Sequence, residues 1–377
     1  MNVLLEATAT MTKRNGPIRV SFAVDDLSRA GTEMQLLALI DHLDRDDVQP
    51  SLVLLNGESE ASRALEPKDC PVLRLGLSRL VGLGTPAAAR RLRGFWKNRR
   101  PDVLQSYFLD SAYFTVPIAK AMGVPHVVRV RNNLGYWLTP RHRLLNNLLA
   151  PAVSRVLTNS DEGRTALIAS GTPDRKVVVL ENGVDLDRFR GFPPPLSRLG
   201  TPHIGTVANL RTVKNIDGLM RAARLVLNRM PEVRFTVVGD GPERGQLEAL
   251  RQELNLGENF TLLGPTNDIP GYLRSLDLFV LPSHSEGMSN ALLEAMAAGR
   301  AMVATNVGAN GKLLAGGCGT LVKPGDPTAL AEAIQAMLAD PRTAQSCSRA
   351  AQTAAEDYGR PQLCRRFVEF YRGLMRI

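Results

Sequence analysis

Residues 278–300 read LFVLPSHSEGMSNALLEAMAAGR. The opening LFVLPS is apolar on consecutive positions, as a strand is when both faces of its sheet are covered. HSEGMS is small and polar and reads as a loop. NALLEAMAAG places Leu292, Leu293 and Met296 on one side of a helix, with Ser289 as its N-cap and Gly299 at its end. Strand, loop and helix in that order make one unit of a parallel α/β sheet. Two carboxylates stand around the turn. Glu286 lies in the loop before the helix, and Glu294 little more than one turn inside it. Because a helix start leaves backbone donors unpaired, the N–H groups of Gly287, Met288 and Ser289 form a floor for an anion. A carboxylate beside that floor accepts hydrogen bonds from vicinal hydroxyls. The combination would hold something with both phosphate and hydroxyls: a nucleotide sugar.

The same unit repeats along the 377 residues. Strand-like runs occur at 18–24, 51–55, 71–75, 102–107, 125–130, 155–160 and 176–180, then at 203–208, 234–239, 259–263, 278–282, 301–305 and 319–322. Segments between them show 3.6-residue spacing, as in DGLMRAARLVLNRM (217–230). The first seven strands and the last six form two blocks, each a doubly wound parallel sheet. RFRGFPPPLSRLGTP (188–202) separates them, and three consecutive prolines there make a stiff linker. The expected division is a disordered leader at 1–16, a first Rossmann-like domain at 17–190, a linker at 191–200 and a second Rossmann-like domain at 201–355. A closing amphipathic helix at 356–377 would pack back on the first domain.

Composition narrows the function. The net charge is +9, with 44% hydrophobic and 22% charged residues, ordinary for a globular chain. The N-terminal run is broken at Glu6 and lacks the layout of a secretory signal, and no stretch is long and apolar enough to span a bilayer. Cys70, Cys318, Cys347 and Cys364 are scattered without metal-ligand or redox spacing, which predicts free thiols in a reducing, cytoplasmic setting and no bound metal. The cationic excess leans to the first half and peaks in AAARRLRGFWKNRRP (87–101). There Arg90, Arg91, Arg93, Lys97, Arg99 and Arg100 stand without an acid, interleaved with Leu92, Phe95 and Trp96. A basic helical face with an aromatic shoulder suits an anionic membrane surface, the inner face of the cytoplasmic membrane; a solvated helix covering the sheet is the competing reading. Nucleic acid is not expected, since no binding motif accompanies the charge.

Loops after strands are where parallel sheets bind ligands. Gly31 stands where the first strand hands over to a helix, so backbone can approach a ligand there. In VANLRTVKNIDGL (207–219), Arg211 and Lys214 are placed at the start of a helix, a pairing suited to phosphate. VVGDGPERGQL (237–247) reads as a tight turn lining a nucleotide cleft; Pro242 inside it breaks any dinucleotide fingerprint.

Taken together these stretches resemble the retaining glycosyltransferases of the GT-B fold that carry an E-x7-E motif, glycosyltransferase family 4. The motif is EGMSNALLE (286–294), continued by AMAAGRAMVATNVG (295–308). ENGVDLDRF (181–189), VANLRTVKN, VVGDGP and GTLVKPGDPTALAEAI (319–334) add to it. The resemblance spans about residues 17–375, and RVRNNLGYWLTPRHR (129–143) is similar to members that build bacterial exopolysaccharide. It implies that Glu286, Lys214 and Arg211 act in catalysis, with Glu286 on the donor sugar and the two cations on the leaving diphosphate. It implies a donor site of Gly31, Asn209, Gly239, Gly241, Leu263, Gly287, Met288, Ser289, Asn290 and Glu294, with Glu294 on the ribose. Arg129, Arg131 and Asn132 fall on the acceptor side. Three departures stand out: Ala30 precedes Gly31 where paired glycines are usual, Asn209 stands where Arg is frequent, and Arg131 stands where a His is frequent.

The implied activity moves a sugar, with retention, from a nucleotide sugar to a lipid-linked or oligosaccharide acceptor in cell-surface polysaccharide or glycolipid synthesis. UDP is the expected base and GDP the alternative; no metal or other cofactor is implied. Three other readings compete. A glycosidase would use Glu286 and Glu294 as acid and base. A non-catalytic relative would bind sugar nucleotides without transfer. A nucleotide-sugar epimerase would share the fold.

Overall fold

The computed structural model describes residues 16–56, 58–132, 139–191 and 202–376. The expected leader and linker lie outside the described residues except at Gly16 and Gly191. All thirteen expected strands form, in two all-parallel sheets. The first contains β1 (Ile18–Val24), β2 (Val48–Leu54), β3 (Val72–Arg74), β4 (Val103–Ser106), β5 (His126–Val130), β6 (Arg155–Thr158) and β7 (Val177–Val179), ordered β3-β2-β1-β4-β5-β6-β7. The second contains β8 (His203–Val207), β9 (Arg234–Val238), β10 (Phe260–Gly264), β11 (Leu278–Leu281), β12 (Ala301–Thr305) and β13 (Thr320–Val322), ordered β10-β9-β8-β11-β12-β13. In each sheet the winding reverses once, between β1 and β4 and between β8 and β11. Helices leave opposite faces on the two sides of such a point, which opens a crevice at the carboxyl ends of the strands.

The consecutive apolar residues are buried as a doubly covered sheet requires. β11 and β12 are buried along their whole length. In the second domain, helices Ile216–Leu227 and Pro327–Ala339 cover one face, and Asn290–Ala297 and Pro341–Ala355 the other. In the first domain, helices Thr85–Arg99 and Leu109–Ala121 cover one face, while Gly31–His42 lies on the other together with the chain's last helix, Arg360–Leu374. Leu363, Phe367 and Tyr371 of that last helix enter the first domain's core, and the Tyr371 hydroxyl donates to Gln105 Oε1 of β4 at 2.8 Å. The two chain crossings between the domains run side by side. Val184 N donates to Tyr358 O at 2.8 Å and Arg360 N to Val184 O at 3.1 Å. All four cysteines are free, as expected from their spacing.

One expectation about helix Thr85–Arg99 is corrected. Trp96 is no aromatic shoulder. It is fully buried with Leu92, and its indole N–H donates to Ser21 Oγ of β1 at 2.8 Å. An indole inside a core needs an acceptor for its one donor, and Ser21 supplies it. Two of the six cations are also engaged locally. Arg91 donates to the carbonyls of Arg74 and Leu75, at 2.6 and 3.2 Å. Arg99 lies 4.0 Å over the Phe95 ring. Arg90, Arg93 and Lys97 remain as one exposed stripe at helical spacing, with Arg100 exposed at the helix end.

Candidate active site

The loops after β8 and β11 are stitched together. Asn215, in left-handed backbone at φ 53°, donates its side-chain N–H to Pro282 O at 2.9 Å, and His284 N donates to Val213 O at 2.8 Å. The stitching holds Lys214 Nζ 2.6 Å from Glu286 Oε1. Ser283 Oγ donates to the same oxygen at 2.6 Å. The Glu286 side chain is only 8% exposed, so its charge depends on these donors. Among the described residues, nothing donates to its second oxygen, which can accept a further hydrogen bond. The cations do not open a helix, as expected above. They lie in and just before a single 3₁₀ turn, Thr212–Lys214, and the α-helix begins after it at Ile216. The left-handed Asn215 breaks the helical run and turns Lys214 toward the β11 loop. Arg211 is exposed and makes no ion pair among the described residues.

Helix Asn290–Ala297 begins as read: Ser289 Oγ accepts from Leu292 N at 3.3 Å, and Gly299 ends the run at φ 59°. The amides of Gly287, Met288 and Ser289 have no acceptor among the described residues. Gly287 is a glycine for a steric reason. A Cβ there would lie 2.3 Å from Asn132 O and 2.6 Å from Asn159 Oδ1, so only bare backbone lets the domains approach this closely. Gly239 and Gly241, in the loop after β9, likewise let backbone pack on backbone, here that of the β8 loop. Their Cβ atoms would lie 1.9 Å from Ala208 O and 2.4 Å from Leu210 O, and Gly239 has φ 133°. Asn209 and Leu263 are exposed, Leu263 by 53%.

Gly31 and Asn290, both expected at the donor, meet each other. Asn290 Nδ2 donates to Gly31 O at 3.0 Å. Its Oδ1 accepts from Gln35 Nε2 at 3.1 Å and from Asn182 Nδ2 at 2.8 Å. Asn182 also donates to Met288 O at 3.1 Å, and Gln35 exchanges two hydrogen bonds with Gly183, at 2.7 and 2.9 Å. Gln35 and Asn182 thus both bind Asn290 and tie three chain segments together. Sequence reasoning missed both, because a lone amide carries no spacing signal.

Glu294 sits apart from the Lys214–Glu286 pair. Its helix packs on the turn Leu186–Phe189 of the crossing segment. Burial pushes its carboxyl up to about 7, against the pull of the Arg188 and Arg360 guanidinium groups. The two glutamates therefore face different neighbours, which is unlike an acid/base pair aimed at one bond.

Arg129, Arg131 and Asn132 line a cavity of about 760 Å³ at the carboxyl end of the first sheet, shared with Asp25, Phe108 and His142. Burial lowers the pKa of both arginines and pushes the Asp25 carboxyl up to about 6. Asp25 was not picked out from the sequence, although its place directly after β1 was the available signal. No group of three His, Cys, Asp or Glu side chains among the described residues is placed to hold a metal ion.

Comparison with known proteins covers both halves of the chain. Residues 201–340 match the family model described as Glycosyl transferases group 1, and residues 30–183 match that of the Glycosyl transferase 4-like domain. A D-inositol 3-phosphate glycosyltransferase of Frankia alni is 30% identical over 302 residues, 72% of this chain and 74% of that one. A 2-deoxystreptamine glucosyltransferase of Streptomyces kanamyceticus is 29% identical over 326 residues, 77% and 82% of the two. Among solved structures, Anabaena HepE in complex with UDP superposes with a TM-score of 0.79 at 20% identity, covering 95% of this chain and all of the other. The two facing parallel sheets are the GT-B fold.

Proposed function

The chain belongs to the group 1 glycosyl transferases, and from that membership we propose that it transfers a hexose from a UDP-sugar, with retention of configuration, to a lipid-linked or saccharide acceptor. The observation that carries the donor assignment is the 2.6 Å contact of Lys214 with Glu286, the residue that precedes the open amides of Gly287, Met288 and Ser289. Phosphate meets a cation and backbone N–H groups there, and a sugar hydroxyl meets the free carboxylate oxygen. The UDP in Anabaena HepE is consistent with that ligand.

In this reading Lys214 and the amides at the helix start take up the charge that grows on the leaving diphosphate, joined by Arg211 from the exposed edge of the loop. Glu286 orients the donor sugar and Glu294 accepts the ribose hydroxyls. The acceptor oxygen bonds to the anomeric carbon on the face from which the diphosphate leaves. The acceptor proton passes to a diphosphate oxygen. With cations in that role, the chemistry runs without a divalent metal. The test is incubation with UDP-hexoses and candidate acceptors, followed by NMR of the product. UDP release with an α-linked product, unchanged by EDTA, is expected. Glycoside cleavage without any nucleotide would mark a hydrolase instead.

We also propose that the first domain rests on an anionic membrane surface. No helix among the described residues is long and apolar enough to cross a bilayer. The stripe Arg90, Arg93 and Lys97 follows a loop in which Val81 and Leu83 are 88% and 103% exposed. Cations beside protruding apolar side chains suit a headgroup layer. Each cation contributes about 1 kcal/mol there, so the triple change Arg90→Gln, Arg93→Gln, Lys97→Gln should weaken vesicle binding at least about tenfold. Sedimentation with vesicles containing phosphatidylglycerol measures it, and unchanged binding would discard the membrane assignment.

A further inference from the structure

Phe108 stands two residues past β4, just before helix Leu109–Ala121, at φ 55° and ψ 173°. That combination crowds the Cβ of any residue but glycine. Neighbours hold it there. Ser111 N donates to Asp25 Oδ1 at 2.7 Å, Ser111 Oγ bonds the Tyr107 carbonyl, and Tyr107 N donates to Ala23 O at 2.9 Å. The strain does not bury the ring. Phe108 is 36% exposed and lines the 760 Å³ cavity. A strained backbone that leaves an apolar ring in a wet cavity gains the fold nothing, which points to a ligand as the beneficiary.

The cavity is also polarised. Asp25 and Asp110 lie at its β1–β4 end, and Arg129 and Arg131 at its β5 end. Arg129 is the informative group. It is half-buried, burial lowers its pKa, and the charges that act on it come from Tyr113 and Arg131, not from a carboxylate. No acceptor among the described residues takes its N–H groups. A guanidinium drawn out of water with no anion beside it is costly, unless a ligand supplies the anion.

We propose that the acceptor is a ring-bearing anion, a phosphorylated sugar or cyclitol, whose ring face lies on Phe108 and whose phosphate lies on Arg129. Asp25, at the opposite end, accepts a hydroxyl of the same ring. This deepens the glycosyltransferase reading and rests on it. It also divides the relatives: the chain would take a phosphorylated acceptor, as the inositol 3-phosphate enzyme's name states, and refuse a cationic one such as 2-deoxystreptamine.

The test uses the full chain loaded with UDP, titrated with glucose 6-phosphate and with glucose as probes. Glucose 6-phosphate is expected to bind at least about tenfold tighter than glucose, as a charge-assisted contact implies. Arg129→Met should erase that preference while UDP binds as before. Phe108→Gly should raise Tm, because the strain is relieved, yet weaken glucose 6-phosphate at least about fivefold. Vesicles with phosphatidylinositol separate the sources: competition with glucose 6-phosphate assigns a lipid headgroup, and its absence a free phosphorylated sugar. The proposal is overturned if Arg129→Met leaves the preference intact, if the wild type shows no preference, or if Phe108→Gly lowers Tm with affinity unchanged. Failure of the wild type to bind UDP would instead remove the glycosyltransferase reading beneath it.

Discussion

Lys214→Ala is expected to lower kcat about a hundredfold, the usual cost of removing one preorganised charge from a developing anion. The fold should survive. Lys214 lies in a single 3₁₀ turn, and Asn215 and the Val213 carbonyl still tie this stretch to the β11 loop without it. The ion pair with Glu286 complicates the reading. Its side chains are 24% and 8% exposed, between a surface pair and a buried one. Breaking it should cost about 2 kcal/mol, because among the described residues Glu286 then keeps only Ser283 as a donor. The double variant Lys214→Ala, Glu286→Gln separates the effects: it should regain stability and stay slow. A folded Lys214→Ala enzyme with full kcat would remove Lys214 from the chemistry.

The second large effect concerns Glu294. Its carboxyl titrates near 7 in the folded chain, against 4.5 for an unperturbed glutamate. The native state therefore binds more protons than the unfolded chain between those values, and stability falls as pH climbs through that window. The loss amounts to at most about 3 kcal/mol. Glu294→Gln has no such loss, so its Tm should exceed wild type at pH 8 and match it more closely at pH 5. Binding should respond in the opposite sense. Ribose hydroxyls need the ionised carboxylate as acceptor, so donor affinity of the wild type should rise with pH through 7 and then level off. Glu294→Gln should show a flat and weaker profile, down about thirtyfold for a lost pair of charge-assisted bonds. A wild-type affinity constant from pH 6 to 8 would contradict this placement of the ribose.

Much of the fold was legible because both sheets are covered on both faces, so their strands are runs of consecutive apolar residues. The first missed boundary has a clear cause. β2 begins at Val48 and passes through Pro50, and a proline in a run argues against a central strand. The candidate site was legible in its loops, since Ser289, Gly299 and the two glutamates announce a helix start and its rim. What stayed hidden depends on distant partners. Trp96 looked like surface because Ser21, its acceptor, is 75 residues away. The Gln35–Asn290 bond spans 255 residues. Phe108 gave no sign of its left-handed φ, because only a glycine advertises one. Arg211 and Lys214 looked equivalent in sequence, and only the fold of the β8 loop separates the exposed cation from the paired one.

The central claim is that the crevice between the sheets holds a nucleotide sugar, gripped at Glu294 and at the Lys214–Glu286 end. Calorimetric titration of the intact chain with UDP and UDP-hexoses at pH 8 tests it most directly. One site per chain is expected in wild type, with the Glu294→Ala site weakened at least about tenfold in a protein that still melts cooperatively. No binding of any uridine or guanosine nucleotide to the wild type, or equal binding to Glu294→Ala, would contradict it.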